Sequence, residues 1–264
     1  MCNLNIIIQK TGKSGKDKRE YANALLCATA HSFAGNNDAD GLYLSSSQEV
    51  VKIHKGKINL MEYADKIDAS EFIITHQRIS TSGHNEEMDQ PFANERWICA
   101  HNGIIHYAGA DARGKSDTCI FFEKFNAYFE EDKTVKTAIE RALKDSSGGS
   151  YSIFLFDKWN SEGYYFKSAS TKISVYELDN KDIFITTDED NAVFFKTAVE
   201  YEIDADTIYY FYIGKNVEIR KGNALEGLTV PVASILGTSP YNEGEWRARG
   251  YYRGGYMGGL GEYE

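Results

Sequence analysis

Apolar positions crowd into short runs separated by polar stretches. LNIII (4–8) is a continuous apolar run and predicts a buried strand, and REYANALLCATAHSF (19–33) carries apolar residues at helical spacing. GLYLSS (41–46) and EVVKIHKG (49–56) form a hairpin pattern with Ser46 and Ser47 in its turn. EFIITHQR (71–78) and RWICAHN (96–102) are apolar runs that end in polar residues, the pattern of strands delivering polar groups to an edge. SDTCIFFEKFNAYF (116–129) and KTVKTAIERALKD (133–145) predict two helices, the first with Ser116 as N-cap and Asp117 in its opening turn. After the breaker SSGGS, six further strand-like runs follow: YSIFLFD, GYYFKSA, ISVYEL, DIFITTD, TIYYFYI and VEIRKG. Strands, then helices, then strands without βαβ alternation predict an α+β layered fold.

Composition narrows this. Hydrophobic residues make up 42% and aromatics 13% of 264 residues, enough for one large core. Folded order is expected over 1–235, followed by a Gly/Tyr-rich, aliphatic-poor segment at 236–264 that reads as a flexible tail. The net charge of −10 argues against a nucleic-acid or anionic-membrane partner. No run has the length of a membrane helix and the first residues lack a secretory pattern, so a cytoplasmic setting is expected. Cys2, Cys27, Cys99 and Cys119 should then stay reduced, and they include no C-x-x-C pair.

Several motifs are weak alone. TGKSGK (11–16) lacks the earlier glycine of a phosphate-binding loop, because that position is Ile7, and reads as a solvated basic turn. Arg247, Arg249 and Arg253 sit among glycines and tyrosines but are outweighed by Glu243, Glu245, Glu262 and Glu264. His76, Cys99, His101 and His106 follow no metal-ligand spacing, so neither a metal nor a cofactor is expected.

Four segments taken together are specific: Cys2 at the head of a strand, THQRISTSG (75–83), QPF with AHNGII (100–105), and SDT (116–118). With NNDADGLYL and GSYSIFLFD they resemble, over most of residues 2–195, the glutaminase domain of class II glutamine amidotransferases, N-terminal-nucleophile hydrolases, on the amidophosphoribosyltransferase-like branch. The resemblance implies a four-layer αββα sandwich of two mainly antiparallel sheets. It implies Cys2, Asn102 and Gly103 as catalytic residues, and Arg78, Thr81, Ser82 and Asp117 as substrate-binding residues. Ile79 replaces the aromatic residue that relatives carry after the arginine, and NNDADG departs from their RGQDxxG.

The chemistry is coherent. Once Met1 is removed, Cys2 carries a thiol (reference pKa about 8.5) and an α-amine (about 7.7–8.0), so one residue supplies nucleophile and base. Asn102 and the Gly103 N–H would stabilise the oxyanion. Arg78 and Asp117 would hold the α-carboxylate and α-ammonium of L-glutamine or a γ-glutamyl compound. The expected activity is hydrolysis of the glutamine side-chain amide through a γ-glutamyl thioester, with ammonia passed to a separate synthase-type subunit. A γ-glutamyl amidase of the same fold and a catalytically silent glutamine-binding module are the alternatives.

Overall fold

The structure, a computed structural model, describes residues 2–10, 19–33, 35–108, 114–213 and 217–226. The TGKSGK turn, the boundary near 235 and the 236–264 segment lie outside the described residues.

The apolar runs become strands β1 (Asn3–Ile8), β2 (Ala39–Leu44), β3 (Glu49–His54), β4 (Phe72–Arg78), β5 (Phe92–Ala93) and β6 (Trp97–Ile105). The second half supplies β7 (Gly149–Asp157), β8 (Glu162–Lys167), β9 (Ser174–Leu178), β10 (Ile183–Thr186), β11 (Thr197–Tyr201), β12 (Thr207–Ile213) and β13 (Val217–Ala224). The helices are α1 (Glu20–Phe33), α2 (Ala64–Ala69), α3 (Asp117–Asp132) and α4 (Val135–Lys144). At the start of α3 the Ser116 hydroxyl accepts the Cys119 N–H at 3.2 Å, and Lys133 closes it in a left-handed conformation with its N–H on the Phe129 carbonyl.

Two antiparallel sheets result. One runs β11-β9-β10-β1-β4-β2-β3 and the other β13-β12-β8-β7-β6-β5. Three apolar layers hold them. Leu4, Ile6, Ile8, Phe72, Ile74, Ile98, Phe154 and Phe156 meet between the sheets. Ile7, Ile73, Leu42 and Phe184 pack outward against Tyr21 and Leu25 of α1. Cys99, Ile153 and Phe166 pack against Phe121 and Phe125 of α3, with Trp97 edge-on to Phe125 and Phe129. Each fully buried Leu or Ile contributes about 1.5–3 kcal/mol, so the central layer alone is a large stabilising term. This is the expected αββα sandwich. Strands buried on both faces explain why they read as continuous rather than alternating.

Two differences stand out. The sequence placed Asn102-Gly103 at a strand end, but β6 continues through them to Ile105, with Asn102 opposite Ser152 and Gly103 opposite Tyr151. The apolar pair Ile104-Ile105 has a partner strand in β7, whose start at Gly149 pairs with Ile105, so the ladder runs on. β11 was not expected, since it is an exposed edge strand without a buried face to pattern it.

Candidate active site

Period-2 alternation sets which side chains face the inter-sheet layer. Leu4 and Ile6 on β1, Phe72 and Ile74 on β4, and Ile98 and Ala100 on β6 all face the inter-sheet layer. Two residues further along, Cys2, His76 and Asn102 have the same parity, with Arg78 one more step along β4. β1 and β4 are neighbours with Asn3 opposite Gln77, which sets Cys2 beside the end of β4. There the Cys2 thiol donates to the Ile79 carbonyl at 3.6 Å and accepts from the Ile79 N–H at 3.4 Å. Burial raises the thiol pKa, against the counteracting Ile79 N–H and the nearby Arg78 charge.

Arg78 is 3% exposed, and its guanidinium is engaged inside the protein. Nη1 donates to Asp89 Oδ1 at 2.7 Å, while Nη2 donates to the carbonyls of Ser82 (2.8 Å) and Gly83 (2.5 Å). Asp89 Oδ2 lies 2.9 Å from His54 Nδ1. Asp89 and Gln90 reach this point because their segment crosses β2 at Gly41, where a side chain would collide with the Gln90 carbonyl at 1.8 Å. Gln90 joins two elements: its Oε1 accepts the His101 N–H at 2.7 Å and its Nε2 donates to Thr118 Oγ1 at 3.2 Å.

Asp117 sits at the α3 N-terminus, where the helix dipole favours a carboxylate. It accepts the Ile105 N–H (2.7 Å) and the Thr118 N–H (2.8 Å), tying α3 to β6. Oδ1 also lies 3.5 Å from the Thr118 hydroxyl, which leaves Oδ2, with its one N–H donor, a further lone pair for a ligand. His101 Nδ1 is 2.9 Å from Thr118 Oγ1 and 4.0 Å from Asp117. Burial lowers its pKa, with Asp117 pulling the other way. Gly103 holds φ at +141°, a conformation that favours glycine.

One small cleft, with about 10 Å³ of free space, is lined by Cys2, Arg78, Ile79, Thr81, Ser82, Gln90, His101, Gly103, Ser116, Asp117 and Thr118. Six of the seven residues expected from sequence therefore share it. Asn102 does not line it: the side chain is buried on the inter-sheet side of β6, with Oδ1 lacking a hydrogen-bond partner. The free space matches about one water molecule, so an amino acid requires the cleft to widen. Sequence reasoning missed Asp89, which carried no motif, and gave Gln90 and Thr118 no roles although both belong to the quoted motifs. The imagined metal set is dispersed. His76 Nε2 donates to the His101 carbonyl at 3.1 Å, Cys99 lies in the α3-side core, and His106 is exposed. Among the described residues no group of three or more His, Cys, Asp or Glu is arranged to hold a metal, and no helix is long and apolar enough to cross a membrane.

The fold is a four-layer αββα sandwich in which Cys2 directly precedes the central strand β1. Among solved structures the chain is similar to glutamine phosphoribosylpyrophosphate amidotransferase from B. subtilis, complexed with ADP and GMP, at 13% identity and a TM-score of 0.56. It is also similar, at 13% identity and a TM-score of 0.57, to the allosteric regulatory enzyme of purine biosynthesis. Each likeness covers 84% of this chain and 49% of the other, so the chain spans about half the length of these structures. No sequence family model matches the chain, and no curated sequence does.

Proposed function

We propose that the chain is an amidohydrolase of the class II glutamine amidotransferase type, cleaving the side-chain amide of L-glutamine with Cys2 as nucleophile. The observation that carries this reading is the convergence of Cys2, Arg78, Gly103 and Asp117, from four separate segments, on one cleft of this fold. With Met1 removed, the freed α-amine takes the thiol proton, which offsets the burial that otherwise disfavours the thiolate. Sulfur then attacks the amide carbon and the carbonyl oxygen becomes an oxyanion. The Gly103 N–H is the backbone donor for it, and Asn102 Nδ2 joins when its side chain turns into the widened cleft. Collapse of the adduct passes the proton to the leaving ammonia, and water hydrolyses the γ-glutamyl thioester to glutamate. Asp117 faces the substrate α-ammonium and Arg78 its α-carboxylate, with Thr81 and Ser82 on the rim. The reading places the ammonia acceptor on a separate polypeptide in the cytoplasm, which co-purification tests.

The decisive experiment combines intact mass, a glutamine-analogue diazo-ketone and a glutaminase assay. Loss of Met1, one label on Cys2, and no label or turnover in Cys2→Ala are expected. Retained Met1 would sink the mechanism, and faster cleavage of γ-glutamyl peptides than of glutamine would move the substrate to that class. Arg78→Ala is expected to raise KM far more than it lowers kcat, because a carboxylate grip acts on ground and transition states alike.

A further inference from the structure

The arginine assigned to the substrate carboxylate already holds one. Arg78 and Asp89 form an ion pair at 2.7 Å with side chains 4% and 1% exposed, shielded from water that would weaken it. Of the five guanidinium N–H donors, three bonds go to Asp89, Ser82 and Gly83. These partners differ in how firmly they are held. Ser82 is half-buried beside the exposed Thr81, so its carbonyl can withdraw as the cleft widens, whereas Gly83 is buried against Ser116 and Met88. Asp89 cannot leave as easily. Its other oxygen meets His54 on β3, its N–H bonds the Glu86 carbonyl, and the next residue is pinned to β6 and α3. The ammonium of Lys52, also on β3, is close enough to feel the Asp89 charge. A substrate carboxylate therefore reaches a guanidinium whose charge is balanced by a fixed neighbour.

Resting on the glutamine-site reading, we propose that Asp89 is a specificity-determining residue: an internal competitor for Arg78 that mutes the selection for a charged α-carboxylate. The site then accepts glutamine side-chain amides whose α-carboxyl is itself an amide nearly as well as free glutamine. With the Asp89 charge removed, Arg78 faces the cleft uncompensated, the Lys52 charge is no longer offset by Asp89, and free glutamine is favoured.

The test is calorimetric binding of L-glutamine and of L-glutaminamide, which lacks the α-carboxylate charge, to the full chain carrying Cys2→Ala to block turnover. With Asp89 in place the two ligands should bind within about tenfold of each other. Adding Asp89→Asn should tighten glutamine by about tenfold and leave glutaminamide within about twofold, the size of one charged hydrogen bond regained. Weaker glutamine binding in the Asn variant, equal shifts for both ligands, or a preference for glutamine above about a hundredfold with Asp89 present would overturn the proposal. If Asp89→Asn does not fold, the glutamine-to-glutaminamide ratio of the Asp89 protein decides alone. The two readings fail separately: the expected binding pattern without Cys2-dependent turnover sinks only the hydrolase, while turnover with the opposite pattern sinks only the role of Asp89. Binding of neither ligand sinks both.

Discussion

Gly103 shows how tightly the cleft is drawn. A side chain there would stand 2.1 Å from the Ser150 carbonyl oxygen and 2.9 Å from His101 Nε2, on a backbone already at φ +141°. Gly103→Ala must push β6 away from β7 or twist the strand, and overpacking of this kind costs about 1–3 kcal/mol, with backbone strain adding to it. The expected result is a lower denaturant midpoint with an unchanged slope, and an unmoved midpoint would mean the strand yields freely. Residues of this kind were legible in the sequence, since Cys2, Arg78, Gly103 and Asp117 each have a chemistry tied to a motif. Asp89 was not, because its meaning comes from a loop crossing β2 at Gly41, and no local pattern encodes that crossing. Its presence also changes the cost of Arg78→Ala, which leaves a buried carboxylate unpaired. A stability loss of about 3–5 kcal/mol is expected alongside the KM effect, measurable by the same denaturation.

At the scale of elements, β1 bears the proposed nucleophile and is held by a buried polar network as well as by apolar packing. Asn3 and Asn5 are 2% and 0% exposed. Asn191 Nδ2 donates to both of their side-chain oxygens (3.1 and 3.0 Å), Thr186 donates to Asn5, and Asn3 donates to Gln77, which continues to Asp40. The run LNIII, read as a plain apolar strand, thus hides Asn5, with Asn3 just ahead of it, and their shared partner Asn191 lies 186 and 188 residues away, beyond the reach of periodicity. Asn191→Ala removes two hydrogen bonds to buried acceptors, at an expected cost of about 0.5–1.5 kcal/mol each. Because the loss falls on the strand carrying Cys2, thiol labelling of Cys2 should accelerate at denaturant concentrations where far-UV dichroism is still native. Labelling that tracks global unfolding in both proteins would show that the network does not anchor β1 separately.

At the scale of the whole molecule the sandwich must hold two sheets in register, because Arg78 lies on one and Gly103 on the other. His76 spans them: from β4 its Nε2 donates to the His101 carbonyl of β6, one residue before Asn102. Burial pushes its pKa down from 6.5 to about 3, and burial lowers that of His101 as well, so folding disfavours the charged form of both imidazoles. The sign follows from linkage. Between pH 6.5 and about 3 the unfolded chain binds a proton that folded His76 refuses, so its stabilising contribution is complete above pH 6.5 and is lost as pH falls toward 3. A group fully protonated only when unfolded gives a slope of about 1.4 kcal/mol per pH unit. Asp40, whose carboxyl burial pushes up, acts in the opposite sense and partly offsets the loss at the acid end. His76→Gln keeps an N–H donor for the His101 carbonyl but does not titrate. The melting temperature of the parent is expected to fall from pH 7 to 5. That of the Gln variant should fall less steeply, with His101 among the groups that contribute the remainder. Parallel curves for the two proteins would assign the acid sensitivity elsewhere and leave His76 as a strut without a titrating role.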